Sequence, residues 1–233
     1  MPIVATDIKI YETKSTATGD GEAGGDGLGK YRSSDEITSG VSENVFDNVS
    51  AAESEAGDTE YRAIMIKNTH ATLSFINAKV WLAPASCTPM SDLTTQLANG
   101  GTETTVDVTD ASAFPTTGAF FVEDEEITYT GKSGNQFTGC TRGANGTTKA
   151  LHTVGTYVEH NQVRIYVEEP SNKTTGYIAS IADESTEPAG SPTWNAVYSF
   201  ATGLSIGTLA AGEFYGVWIR RKIPVGCQAK TGI

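Results

Sequence analysis

The chain has 233 residues, of which 25 are glycine and only 19% are charged. This length suffices for one domain with an insertion or for two small domains. The charged residues are 28 acidic and 16 basic, and the formal net charge of −12 disfavours direct contact with nucleic acid, because phosphate binding requires clustered Lys and Arg. No apolar run approaches membrane-spanning length and the N-terminus lacks signal-peptide features, so we expect a protein made in a cytoplasm.

Short groups of β-branched and aromatic residues, separated by turn residues, predict an all-β protein. Residues 2–11 alternate as a strand does. Residues 60–68 and 73–82 predict two strands that pair with each other as an antiparallel hairpin. Residues 194–201 and 209–219 predict two further strands late in the chain.

A short pattern in the last predicted strand favours one kind of sandwich. Leu209, Gly212, Tyr215 and Val217 match the run that opens a late strand in immunoglobulin-like and fibronectin-III-like folds. In those folds the tyrosine hydroxyl bonds to upstream backbone and fixes a corner. We therefore predict an immunoglobulin-like or fibronectin-III-like β-sandwich in which Leu209, Gly212 and Tyr215 define the fold, Tyr215 as the corner tyrosine.

The N-terminal residues 1–45 differ in composition from the rest. Residues 13–29 are polar and rich in glycine, and they cannot bury enough apolar surface to offset the entropy lost on ordering. We therefore predict an extended N-terminal arm over 1–45 that orders against neighbouring subunits.

Residues 101–159 have a pattern of their own. Strands predicted at 119–122, 126–130 and 136–140 are separated by tight-turn sequences, which indicates a small β meander. Its position predicts an insertion into a discontinuous sandwich formed by 46–100 and 160–233.

Two patterns near the N-terminus resemble ligand sites without completing one. The glycine-rich run 24–30 resembles a phosphate-binding loop, but Tyr31 occupies the position of the magnesium-binding Ser or Thr. Asp20, Glu22 and Asp26 have part of the spacing of a calcium loop, yet Tyr31 stands where the bidentate Glu belongs. We predict neither nucleotide nor calcium binding here.

Four consecutive carboxylates, at Glu123, Asp124, Glu125 and Glu126, could serve a divalent cation or glycoside chemistry. Adjacent turn residues point in different directions, so we expect a solvated hairpin tip instead. The histidines are isolated in sequence and the serines follow no nucleophile pattern. The sequence therefore predicts a protein that is not an enzyme, with no catalytic, cofactor-binding or metal-binding residues.

Cysteines and aromatic residues both indicate core positions. Cys87, Cys140 and Cys227 are odd in number and widely spaced, which favours buried thiols over disulfides or a zinc site. A late aromatic cluster could form a sugar-binding platform, but its period-two spacing favours the core. The cluster comprises Trp194, Tyr198, Phe200, Phe214, Tyr215 and Trp218.

The central segment resembles a small β module that recurs in structural proteins of tailed bacteriophages. The resemblance rests on residues 118–131, on the run from Phe137 through Thr-Gly-Cys-Thr-Arg-Gly-Ala-Asn-Gly to Thr147, and on His152. The flanking segments 46–73 and 214–224 are similar to a family of phage virion proteins in which the sandwich often continues without the module. This resemblance implies that 101–159 is an insertion.

The resemblance further implies a structural component of a tailed-phage virion, made in the host bacterial cytoplasm. Its partners would be other copies of itself and other virion proteins, with no nucleic acid and no membrane. We expect assembly by surface contacts as a capsid decoration or a neck or collar protein. The alternative is a tail or surface module that binds host carbohydrate through exposed aromatic residues and carboxylates.

Overall fold

The computed structural model describes residues 2–41, 43–83 and 90–226, and within these ranges the chain is nearly all β. The strands are β1 Ile8–Lys14, β2 Tyr31–Glu36, β3 Asp58–Asn68, β4 Phe75–Val80, β5 Met90–Asp92, β6 Thr105–Asp107, β7 Gly118–Val122, β8 Glu125–Tyr129, β9 Gly131–Ser133, β10 Gln136–Thr138, β11 Tyr157–Glu159, β12 Gln162–Glu168, β13 Leu204–Leu209 and β14 Phe214–Ile223. The all-β prediction is confirmed.

One short helix was not predicted. It is α1, Ala51–Ala56, and it begins at a capping box in which Ser50 and Glu53 each accept the other's backbone N–H. Among the described residues, no helix is long and apolar enough to cross a membrane.

The chain divides into two compact units. The first unit contains the described residues of 1–47, 60–82 and 164–220, and the second contains those of 48–59, 83–163 and 221–233. The first unit is built on a five-stranded sheet in the order β12-β14-β3-β1-β2 and a two-stranded sheet of β13 and β4.

The five-stranded sheet of the first unit buries apolar residues on both faces. Tyr61, Ala63 and Met65 of β3 lie on one face in a cluster with Phe214 and Trp218 of β14. This spacing of two follows from the alternation of side chains along a strand.

The opposite face of that sheet packs against the two-stranded sheet. Ile64 of β3 and Val217 of β14 belong to the same cluster as Val80 of β4 and Leu204 of β13. Two sheets that share an apolar layer form a sandwich, so the predicted sandwich architecture is confirmed.

The predicted hairpin of residues 60–68 and 73–82 is wrong in its pairing. β3 pairs with β1, for example at Ile10 and Ile66, whereas β4 pairs with β13. β3 carries apolar residues on both faces, which suits a central strand of the larger sheet. β4 faces the core on one side only and belongs to the other sheet.

The strand predicted at 194–201 is also corrected. Only Asn195 in this stretch forms a β-bridge, with Ile165, and the regular strand follows it as β13. Residues 2–11 likewise form a strand only from Ile8 onward, after a turn of 3-10 helix at Ala5–Asp7.

The predicted N-terminal arm is corrected in the same way, because its strands pair within their own chain. β1 lies between β2 and β3 in the five-stranded sheet. Thr13 is fully buried, and its hydroxyl donates to the carbonyl of Ala63 and accepts from the amide of Gly29. A segment of this polar, glycine-rich composition can therefore contribute strands to the five-stranded sheet.

Carboxylates order the glycine-rich segment between β1 and β2. Asp26 accepts from the amide of Ser15 at 3.0 Å, and Asp35 accepts from the amides of Gly24 and Gly25, each at 2.7 Å. These hydrogen bonds order a segment that has too few apolar residues to be ordered by packing. In this segment, hydrogen bonds between side chains and the backbone take the place of a hydrophobic core.

The second unit contains the sheets β5-β11-β7-β8 and β6-β10-β9. Its core is aromatic, with ring centroids of Phe120 and Phe137 4.6 Å apart and those of Tyr129 and Phe137 also 4.6 Å apart. The predicted meander 101–159 lies in this unit. The unit also includes β5, which precedes 101 and pairs with β11.

Of the three cysteines predicted to be buried thiols, Cys140 lies within the described residues. Cys140 is a buried free thiol, and burial raises its pKa to about 12. An unreactive core thiol is expected at that pKa. Cys87 and Cys227 lie outside the described residues.

Candidate functional site

The residues predicted to define a tyrosine corner lie around the β13–β14 connection. Leu209 is fully buried at the end of β13, Gly212 has φ of +82° in the turn, and the Tyr215 ring packs against Ile206 and Leu209. Burial raises the pKa of the Tyr215 hydroxyl. Among the described residues this hydroxyl has no hydrogen-bond partner, and the corner role of Tyr215 stays a prediction.

Asn68 makes the bonds that hold this connection. Its buried side chain donates to the carbonyls of Leu73 and Leu209 at 2.8 and 2.9 Å and accepts from the amide of His70 at 2.9 Å. Its backbone exchanges hydrogen bonds with Gly212 and Glu213. Asn68 thus joins the ends of β3 and β13 through hydrogen bonds that the sequence did not reveal.

The run of carboxylates at the β7–β8 hairpin is only half solvated. Val122 pairs with Glu125, so Glu123 and Asp124 alone form the turn, with Glu123 at φ of +55°. Glu125 and Glu126 follow on β8 and are 1% and 3% exposed. The prediction of a solvated tip therefore holds for the first two residues and is wrong for the last two.

Glu125 lies at the centre of a buried polar network, named here the Glu125 network, formed with Glu103, Glu123, Arg142 and His152. Arg142 Nε and Nη2 lie 2.7 Å from Glu125 Oε1 and Oε2, and both side chains are completely buried. Arg142 also donates from Nη1 to Glu103 Oε2 at 2.8 Å. This two-point geometry matches the planar guanidinium to the carboxylate.

Backbone groups complete the Glu125 network. The amides of Gly143 and Ala150 donate to Glu125 at 3.0 Å, and the carbonyls of Ala98 and Ala150 accept from Arg142. Burial disfavours ionisation of Glu125, but the bonds from Arg142, Ala150 and His152 outweigh it and lower the Glu125 pKa. These bonds favour the ionised form of Glu125 and anchor its carboxylate in the interior.

His152 joins the network to the surface turn. Its Nε2 lies 2.8 Å from Glu125 Oε2, and its Nδ1 lies 2.8 Å from Glu123 Oε2. His152 is 1% exposed, whereas the Glu123 side chain is 62% exposed.

Glu126 has a separate set of partners. Asn145 Nδ2 donates to Glu126 Oε1 at 2.6 Å, and the amide of Glu126 donates to the hydroxyl of Thr147 at 2.9 Å. Asn145 is in the left-handed region, with φ of +49°, within the 3-10 turn Ala144–Gly146. The segment after β10 is therefore attached to β8 at several points.

The carboxylates of the suspected calcium loop do not converge. Asp20 pairs with Arg32, Glu22 accepts from Thr18, and Asp26 accepts from Ser15 and Leu28. A different acidic group, Asp47, Glu60 and Glu184, has ligand atoms within 4.8 Å of one another. Arg62 forms an ion pair with Glu184, so a protein cation already neutralises part of this group.

The late aromatic cluster is mostly core. Phe214 and Trp218 are fully buried, while the Trp194 indole N–H bonds to Glu187 and its ring lies 5.4 Å from Tyr61. Phe200 differs, because it is 61% exposed. The predicted core position is therefore wrong for Phe200.

Phe200 belongs to an exposed surface, named here the aromatic patch, formed with Ile76, Lys79 and Trp81. The rings of Phe200 and Trp81 meet edge to face at 5.8 Å, and Lys79 Nζ lies 5.1 Å from the Phe200 ring. Ile76 and Trp81 are 74% and 43% exposed. The patch contains no carboxylate, although the chain carries a net charge of −12.

The geometry of β4 explains why these side chains point outward. Phe75, Ala78 and Val80 face the core of the first unit, and the register shifts where Asn77 takes φ of +54°. A bulge of this kind re-aims neighbouring side chains. It leaves Ile76 on the solvent side with Lys79.

Comparison of the chain with models of protein families, with curated proteins and with solved structures finds no match.

Proposed function

We propose that this chain is a structural component of a tailed-phage virion that assembles through protein–protein contacts and performs no catalysis. Its partners would be further copies of itself and other virion proteins. A capsid decoration or a neck or collar protein is the role we favour. The immunoglobulin-like or fibronectin-III-like character of the sandwich is part of the same proposal.

One observation carries this proposal: the polar residues of the phage-type sequence pattern are used inside the module's own fold. Arg142 and His152 both bond to Glu125 in the interior, and Asn145 donates a hydrogen bond to Glu126. Groups held in this way are not free to bind or activate a substrate. A pattern that builds a scaffold supports a structural role for the proteins in which it recurs.

The aromatic patch supplies a contact surface for assembly. Protein interfaces are enriched in aromatic residues at their centres, and Trp81 and Phe200 are exposed side by side. The lack of carboxylates in the patch avoids charge repulsion with another acidic surface. Repeated weak contacts of this kind strengthen one another once a first contact forms.

Incorporation into particles tests the role of the patch. Tailed particles would be produced from the genome that encodes the chain, with Trp81→Ala in place of the wild type, and the chain quantified in purified particles. We expect at least a tenfold loss, since truncating a central interface aromatic costs about 2 kcal/mol or more. Leu151→Ser, at an exposed apolar residue of the second unit, is the control and should incorporate normally. Equal incorporation of both variants would show that the aromatic patch is not an assembly interface.

The exposed pair Trp81 and Phe200 also favours the second candidate, a module that binds host carbohydrate. Aromatic faces are common sugar-binding surfaces, and these two rings are more accessible than Trp194. A glycan array with the purified chain separates the candidates. Reproducible binding that Trp81→Ala abolishes would support carbohydrate recognition, and an array without signal would dismiss it.

A further inference from the structure

Charged residues are distributed unevenly along the first unit. Residues 188–212 contain no charged residue, and residues 71–82 contain only Lys79, so all 28 acidic residues of the chain lie outside these two segments. The two segments include the whole of the two-stranded sheet, β4 and β13. This small sheet is therefore almost neutral in a chain whose net charge is −12.

The outward surface of this sheet, named here the small-sheet face, consists of the aromatic patch and the exposed residues of β13. Ile76, Trp81 and Phe200 are its large apolar side chains, and all three are exposed. The exposed residues of β13 are small and uncharged, and they are Ser205, Gly207 and Thr208. The centres of protein interfaces are likewise depleted in charged residues and enriched in aromatic ones.

Lys79 is the one charged residue of the small-sheet face, and its ammonium group is held within its own chain. Its Nζ donates to the carbonyls of Phe200 and Ala201 at 3.1 and 3.3 Å and lies over the Phe200 ring. The charge therefore lies against the sheet and does not project toward a partner.

The edges of the small sheet are open but irregular. In the larger sheet of the first unit, the outer strands are covered by bridges, β2 at Ser33 and β12 at Ile165. Among the described residues, β4 and β13 pair only with each other. Their register shifts at Asn77 and Gly207, which both have positive φ. Bulges hinder the addition of a further strand, so the face of this sheet, and not its edge, suits a partner.

We propose that the small-sheet face is the docking site for a second copy of this chain, with the two copies packed face to face about a two-fold axis. Two chains of net charge −12 repel each other wherever their acidic surfaces approach. The repulsion is smallest when each copy presents its neutral face. A two-fold axis allows this, because the same surface of both copies then forms the contact. Because it names the partner of the aromatic patch, this docking rests on the proposed function.

Analytical ultracentrifugation of the purified full chain tests the docking. We expect a monomer–dimer equilibrium without larger species, because a two-fold contact closes on itself. The dimer should become tighter as ionic strength rises from about 0.01 to 0.15 M, since salt screens the repulsion between the acidic surfaces of the two copies. A dimer that weakens over this range would be held by ion pairs between copies and would overturn the proposal.

Two matched variants test whether the contact lies on the small-sheet face. Thr208→Asp places a carboxylate on this face, whereas Thr16→Asp places one on an exposed turn elsewhere in the first unit. The first should shift the equilibrium to the monomer because the new carboxylate is brought close to its copy in the partner, and the second should dimerise as the wild type does. Circular dichroism checks that both variants are folded.

Trp81→Ala tests the two-fold symmetry of the contact. Truncation of a central interface aromatic weakens binding by about tenfold or more. A symmetric dimer loses two such rings, so its dissociation constant should rise by about a hundredfold or more. A mixture of variant and wild type should form mixed dimers of intermediate stability.

Two results would overturn the docking proposal: a chain that stays monomeric at every concentration, and a dimer that Thr208→Asp and Trp81→Ala leave intact. Both results would leave the virion role standing, because another virion protein could then occupy the aromatic patch in particles. A dimer that behaves as expected, from a chain that is absent from particles, would contradict the virion role alone.

Discussion

Arg142 and Glu125 form a two-point ion pair that is completely buried in the second unit, with both N–O distances at 2.7 Å. Charges removed from water are tolerated only when each is well paired. The pair joins β8 to the segment after β10, which are separated by 17 residues in sequence. The stability of the module is therefore tied to this contact.

Removal of one partner of this pair should destabilise the protein strongly. Arg142→Met leaves the Glu125 carboxylate buried without its main counterion, and we expect a loss of about 3–5 kcal/mol in the free energy of unfolding. Chemical denaturation measures this loss in the free energy of unfolding. The double variant Glu125→Leu with Arg142→Met should lose less than the single variant, and a larger loss in the double variant would contradict this account.

The connection between β13 and β14 offers a direct comparison of two residues. Asn68→Ala removes bonds to the buried carbonyls of Leu73 and Leu209, and we expect a loss of about 1–3 kcal/mol. Tyr215→Phe removes only a hydroxyl without a partner among the described residues, so the change should stay within about 0.5 kcal/mol. Thermal unfolding of both variants decides between Asn68 and a tyrosine corner. A large effect of Tyr215→Phe would favour the tyrosine.

The glycine-rich segment should be sensitive to acid. Backbone amides of Gly25 and Gly24, with burial opposing them, lower the pKa of the half-buried Asp35. A lowered pKa in the folded state means that the contribution is present above the unfolded value of about 3.9 and is lost as pH falls through the folded value.

Asp35→Asn measures that contribution. At neutral pH the variant should exchange the Gly24 and Gly25 amide hydrogens faster than the wild type, because the charged acceptor is gone. The difference in stability between the two proteins should shrink as pH falls below about 4. A difference that does not change with pH would contradict the role of the ionised carboxylate.

The same substitution at two tryptophans should destabilise the protein to very different extents. Trp218→Ala empties a fully buried site and should cost about 3–5 kcal/mol. Trp81→Ala removes an exposed ring and should cost less than about 1.5 kcal/mol, the range of an aromatic pair. Denaturation curves provide both values. A Trp81 effect equal to that of Trp218 would mean that the patch belongs to the core.

Local composition explains what could be predicted. The strands β3, β7, β8 and β14 follow from short groups of β-branched and aromatic residues bounded by turn residues, and so does the all-β class. Pairing depends on distant residues, so β3 and β4 were expected to form a hairpin although they belong to different sheets. The apolar residues on both faces of β3, at 63–66, were the available signal of a central strand.

The polar contacts could not be predicted either, because they also depend on residues that are distant in sequence. Glu125 and Glu126 look like turn residues, because their partners Arg142 and Asn145 lie 17 and 19 residues away. The sequence pattern contains Glu125, Arg142 and Asn145 together, but their spacing gives no distance between side chains. Order in the glycine-rich segment also escaped prediction, since it depends on Asp26 and Asp35 reaching particular amides.

We propose above that this chain is a building block of a tailed particle. A cryo-electron microscopy map of the particles assembled from the encoding genome tests it most directly, with the chain's copy number counted by quantitative mass spectrometry of the same sample. We expect symmetric density for the sandwich, in contact with other virion proteins on the capsid or neck and with the aromatic patch in an interface. Complete particles that lack the chain would contradict the claim.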